Sequence, residues 1–306
     1  MNNLIKSTLN ISNLKVFIPL IFLTFLSFSL NSLKAESIKE GDSTSPVIEV
    51  VTSDSVNVGD TLSVKIKKVG EKGQPKIYFN KTKVSAFVLS ETWFRSLIPI
   101  SANYKPGKYE LEVFYLGKVK RIELAVKETK YPLQELTLTK EVAGLKASKK
   151  EKELVGKALA IESSNKLWTG KFILPSTARQ STGYGVQRRV NGVITPDYFH
   201  KGLDFAAQTG ANIKSPENGK VILVGLTSKG FVVNGNCIFI DHGHGVITGY
   251  LHLSSVAVKE GDLVKKGQII GKVGSTGIAS GPHLHWGVYV LGKTVDPLGW
   301  TNTLIE

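Results

Sequence analysis

The sequence predicts an all-β protein, with two β domains joined by a helical linker behind an N-terminal export segment. Three observations carry this reading. Apolar and polar residues alternate with a period of two in runs between Pro46 and Lys127. Short Val/Ile runs separated by Gly-containing turns fill the chain from Phe172 onward. Only between 128 and 170 does the apolar spacing become that of a helix.

Residues 1–35 carry Lys6, Lys15 and Lys34 and no acidic residue, with an apolar block from Val16 to Leu30 between them. A basic start, an apolar core and a small residue (Ala35) before Glu36 describe a secretory signal peptide. Pro19 and the shortness of the block argue against a retained span, which needs about 20 apolar residues. The mature chain is expected to start near 36, in the periplasm or cell envelope of a bacterium.

Over 46–127, Val58, Leu62, Val64 and Ile66 form one alternating run, and Tyr109, Leu111, Val113 and Tyr115 another. Pro106-Gly107 and Gly117-Lys118 bracket the second as turns. Several short strands in about 80 residues predict a small β-sandwich of immunoglobulin type. Trp93 and Phe94 read as core or interface residues. In the linker, 128–170, Ser148-Lys-Lys-Glu151 reads as a capping box, in which each side chain would bond the other's backbone N–H. Leu154, Val155, Ala158 and Leu159 follow on one helical face, so this helix is expected to space the domains. Over 171–306, the segments 220–225, 237–241, 245–253, 267–274 and 283–290 read as strands, and no helix of ordinary length fits.

Composition narrows the function. With 42% hydrophobic and 21% charged residues, the 306-residue chain is a folded globular protein rather than a disordered or fibrous one. One cysteine, Cys237, excludes a disulfide scaffold and a Cys-rich zinc finger; it reads as a small buried hydrophobe. The net charge of +14 favours anionic partners. It is spread as +6 over 36–170 and +5 over 171–306, without the clustered footprint or motif of a nucleic-acid binder.

All six histidines lie between 200 and 285. In His200-Lys-Gly-Leu-Asp204, Gly202 disfavours helix, and even spacing in an extended chain puts both side chains on one face. His283 and His285 share a face in the same way. His252 sits among apolar neighbours, where a core histidine and a site histidine are both open readings. Two His and an Asp supply the nitrogen and oxygen donors that suit tetrahedral Zn2+ with one position left open. His242 and His244, in Asp241-His-Gly-His-Gly245, read as turn residues.

The segment 175–300 resembles the lysostaphin-type, or LytM-like, zinc endopeptidases that cut peptidoglycan. The resemblance is carried by His200-Lys-Gly-Leu-Asp204 and Gly-Pro-His283-Leu-His285-Trp, and by Ile-Asp-His-Gly, Tyr-Leu-His-Leu and Gly-Ser-Thr-Gly between them. It implies His200, Asp204 and His285 as ligands of one zinc per chain, with His252 and His283 as catalytic histidines beside it. It also implies a peptidoglycan substrate, hydrolysed at stem or cross-bridge peptide bonds by water acidified at the metal. The alternative is a non-catalytic regulator of another wall hydrolase, which would lack one or more of these five residues; all five are present. No activator is named by the sequence. The 258–268 segment is similar to a biotinyl or lipoyl carrier hairpin but lacks the context of a modified lysine, so it is expected to be structural. The N-terminal sandwich is expected either to position the enzyme or to block its groove.

Overall fold

The computed structural model describes residues 47–70, 73–194 and 198–305; the signal-peptide reading of 1–35 lies outside them. Strands dominate, as expected. Nine come first: β1 (Val50–Val51), β2 (Ser55–Asn57), β3 (Thr61–Lys67), β4 (Lys76–Phe79), β5 (Thr82–Val84), β6 (Phe87–Val88), β7 (Trp93–Pro99), β8 (Gly107–Tyr115) and β9 (Lys118–Lys127). They form two sheets, β1-β3-β7-β6 and β2-β9-β8-β4-β5. The inward residues of both sheets, among them Val64, Ile66, Ile77, Ile98, Leu111 and Leu124, share one core. Alternation produces this directly, since every second side chain of β3 is buried. Phe94 lies in that core, and Trp93 stays half-buried under the Lys65 ammonium.

The next segment is only partly helical. It contains the strand β10 (Leu133–Leu136) and the helices α1 (Lys140–Ala143) and α2 (Lys149–Leu159). A strand here departs from the expected helical linker. Its backbone pairs in parallel with a strand of the second domain, which supplies the partners that the linker's own sequence does not advertise. Ser148 caps α2 as expected, its Oγ accepting the Glu151 N–H at 3.0 Å. Glu151 does not return the bond. Its carboxylate is buried and accepts the backbone N–H groups of Val232, Val233 and Asn234 instead. The apolar face of α2 packs on Leu223, Phe231 and Tyr289, so the helix is fastened to the second domain and is no free spacer.

The second domain holds β11 (Arg179–Thr182), β12 (Gln187–Val190), β13 (Val193–Ile194), β14 (Leu203–Ala206), β15 (Asn212–Lys214) and β16 (Gly219–Gly225). It continues with β17 (Asn236–Gly243), β18 (Val246–Val256), β19 (Leu263–Val264), β20 (Ile269–Val273), β21 (His283–Val290) and β22 (Lys293–Val295), then the short helix α3 (Pro297–Asn302). The main sheet runs β11-β14-β21-β18-β17-β16-β19, antiparallel throughout. Its core contains Leu203, Phe205, Tyr250, Leu284, Trp286 and Val288. β10, β12 and β13 make a separate three-stranded sheet. Cys237 is buried in the α2 cluster, and burial pushes its thiol up to about 12, as suits a packing residue.

The two β regions belong to one compact unit and meet through polar as well as apolar contacts. Arg95 of β7 is fully buried, donates from Nη2 to His244 Nδ1 at 2.8 Å, and lies 4.8 Å over the Trp168 ring. Asp296 N–H donates to Gly59 O, and Ser101 Oγ–H to Thr294 O. No helix among the described residues is long and apolar enough to cross a membrane.

Candidate active site

Asp204 and His285 face each other directly across the β14–β21 pair, and Leu251 is the partner of His285 on the other side. His283 shares the face of His285, while Leu284 between them points into the core. His200 departs from the expectation of an extended strand shared with Asp204. It precedes β14 and is held by backbone bonds to the 185–186 segment. Gly202 makes the turn between them possible, because a Cβ there would come within 2.3 Å of Trp286 O.

Three donor atoms converge. His200 Nε2 and His285 Nδ1 each lie 2.9 Å from Asp204 Oδ1 and 3.0 Å from one another. His200 Nδ1–H donates to Gly183 O at 2.6 Å, which fixes its tautomer and leaves a bare Nε2 lone pair aimed at a carboxylate oxygen. Two acceptors set against each other in a buried site need a cation between them. The residues therefore fit a metal ion by their own chemistry, and the only such His/Cys/Asp/Glu group among the described residues is this one. Burial pushes His285 down to about 4.

His252 and His283 stand beside the cluster, their ring centroids 4.8 Å apart. His252 Nδ1–H donates to Thr276 O and His283 Nδ1–H to Gly281 O, so both present Nε2 as acceptor. His283 Nε2 lies 3.8 Å from Asp204 Oδ1. Burial, then the neighbouring His283 and His285, pushes His252 down to about 3. His252 also has φ +67°, a left-handed conformation that costs a non-glycine residue about 1–3 kcal/mol and persists where surroundings enforce it. Its N–H bond to Asn234 O, from the loop that Glu151 holds, is one enforcing contact.

The cluster opens on two cavities, of about 280 and 650 Å³, that share Arg188, His252, Ile278 and His285. Gln134, Leu136 and Leu138 of the linker line the smaller, and Val233, Asn234 and Tyr289 the larger. Ser101 and Asn103 of the sandwich reach the larger; among the described residues none of 47–127 lines the smaller. His244 lies in the β17–β18 turn as expected, while His242 belongs to the end of β17; neither is in the donor cluster. Arg188, Gln134 and Glu151 were not expected at the site. Arg188 carried no signal beyond a basic pair, and Glu151 read fully as a helix cap.

An antiparallel sheet with a His–Asp donor cluster at the floor of an open groove defines the class. Residues 198–297 match the model of peptidase family M23, so this segment is an M23 domain. Peptidoglycan DD-endopeptidase ShyB of Vibrio cholerae is 40% identical over 131 residues, 42% of this chain and 29% of the relative. DD-carboxypeptidase/endopeptidase Mpg of Neisseria meningitidis is 37% identical over 110 residues, 36% of this chain and 24% of that one. The chain thus spans about a quarter of the length of these relatives. A crystallised M23 peptidase-type protein of Pseudomonas aeruginosa is 29% identical with a TM-score of 0.59, covering 79% of this chain and 93% of that one. That likeness reaches well beyond 198–297.

Proposed function

We propose that this chain is a zinc metallopeptidase of the bacterial cell envelope that hydrolyses peptide bonds in peptidoglycan. The observation that carries the reading is the convergence of His200 Nε2, Asp204 Oδ1 and His285 Nδ1 within about 3 Å of one another in a groove. These three residues would hold the ion. Bound there, zinc supplies Lewis-acid polarisation of a carbonyl and acidification of water. The chain's own residues do the rest. Gly183 O and Arg188 orient two of the ligands, at His200 Nδ1 and Asp204 Oδ2. His252 Nε2 is positioned to take a proton from water and return it to the leaving amine, its tautomer fixed by Thr276 O. His283, with its Nδ1–H engaged by Gly281 O, steadies the developing negative charge once protonated. The relatives named as DD-endopeptidases support peptidoglycan as the substrate.

Purified peptidoglycan digested with the chain should release shorter peptide-linked fragments, identified by mass spectrometry. Asp204→Ala removes the one anionic ligand and should lose both activity and most zinc, measured by elemental analysis. Intact peptidoglycan after digestion by the zinc-loaded parent would sink the reading; full zinc in Asp204→Ala would sink the ligand set.

A further inference from the structure

We propose that Arg188 recognises a free carboxylate on the carbon that bears the nitrogen of the scissile amide. This rests on the peptidase reading and names a feature of its substrate. Arg188 lies in β12 at the join of the two cavities and, among the described residues, is the one permanently charged group common to both. Its Nη2 donates to Asp204 Oδ2 at 2.7 Å, and its Nε to Gln134 Oε1 at 3.2 Å. The backbone places Gln134 directly opposite it, in the β10–β12 register. Pinned at two points, the guanidinium has little freedom left to lose.

Its Nη1 has no hydrogen-bond partner among the described residues, and the side chain keeps 17% of its surface exposed. A guanidinium carries five N–H donors, and two are spent here. The remaining edge is a planar fork suited to a carboxylate, and its charge persists at every working pH. Among the described residues only one carboxylate, that of Asp204, pairs with it, and that group is also the proposed metal ligand. The groove is therefore left with positive charge that a neutral peptide would not use.

Position selects the carboxylate. Arg188 touches a metal ligand directly, so whatever it grips lies within a few bonds of the reacting carbonyl. A carboxylate on the amine-side carbon is three bonds from that carbonyl carbon. Cross-links made through a diamino diacid carry such a group, as do peptides ending in a free amino acid. Glycine bridges and cross-links through a simple side-chain amine do not.

The full zinc-loaded chain would be assayed on two synthetic peptides that differ only in carboxylate or carboxamide at that carbon. The parent should prefer the acid by about 10–100-fold in kcat/KM, the worth of hydrogen bonds to a charged group. Arg188→Gln should shrink the preference to within about threefold, while Arg188→Lys keeps part of it, because a point charge replaces the fork. Calorimetric binding of both peptides to the metal-free chain repeats the comparison without turnover, and zinc content reports any displacement of Asp204. If the parent cleaves both peptides equally, or if Arg188→Gln slows both and keeps the ratio, the inference is overturned and the peptidase reading stands. If the parent cleaves neither, the peptidase reading itself fails and takes the inference with it.

Discussion

Four histidines of this protein border the groove and two are sealed behind it, and burial lowers the pKa of members of both sets. Burial pushes His242 and His244 down to about 4, as it does His285. What differs is where the lone pairs go. His242 donates from Nδ1 to Asn218 O at 2.7 Å and accepts at Nε2 from Thr248 Oγ1 at 2.8 Å, so no valence is left over. His244 accepts from Arg95 and stacks on Phe87 at 4.7 Å, serving the joint between domains. His200, His252 and His283 each spend Nδ1–H on a backbone carbonyl and aim Nε2 into the site. For these three a backbone bond on the far nitrogen leaves a lone pair facing the groove, a feature that a low pKa alone does not report.

The largest effect that could break this distinction is at His252. His252→Ala should keep its zinc and its circular dichroism yet lose about 10²–10⁴ in peptidase rate, the usual cost of one general acid–base group. Parental rates would return His252 to the sealed class. Zinc loss would make it a ligand.

The next effect belongs to His242. Its folded value of about 4 lies below the ordinary 6.5, so the fold favours the neutral ring. That contribution is complete above pH 6.5 and drains away as pH falls to about 4, worth about 3 kcal/mol in all. Glu217, which faces the ring, works against the shift. Denaturant unfolding of parent and His242→Gln between pH 7 and 4 should show a shallower fall in the variant. Identical slopes would mean that His242 is as titratable in the fold as in the unfolded chain.

The smallest effect sharpens the groove side. Glu151→Gln keeps an acceptor for the 232–234 amides but gives up the charge, and should cost about 1–2 kcal/mol in stability. Because Val233 and Asn234 line the larger cavity, KM should rise with it. An unaltered melting temperature and KM would reduce α2 to a spacer.

Much of this architecture was legible because it is periodic or local. The period-two runs that became β3 and β8 announce which face is buried, and the spacing within 283–285 alone places both histidines together. The donor residues were legible through the His200-Lys-Gly-Leu-Asp204 and His283-Leu-His285 motifs, whereas the turn at Gly202 was not. What stayed hidden is pairing between distant segments. β10 has no strong alternation, and only the parallel register with β12 brings Gln134 to Arg188 across 54 positions. Glu151 satisfied a local rule at the sequence level and a non-local one in the fold, where three backbone amides competed better than the cap. His200 lies outside the strand of Asp204 because backbone bonds to the preceding segment set its path.

The left-handed backbone at His252 sets stability and activity against each other at a single residue. Glycine occupies that region freely, so His252→Gly would relieve the main chain while deleting the imidazole. Selection for a sturdier fold alone would push toward glycine here, and on the proposed reading the ring nitrogen is what holds the position. A catalogue of stabilising substitutions in this chain would therefore be expected to point to residue 252, and following it would yield a firmer but silent protein.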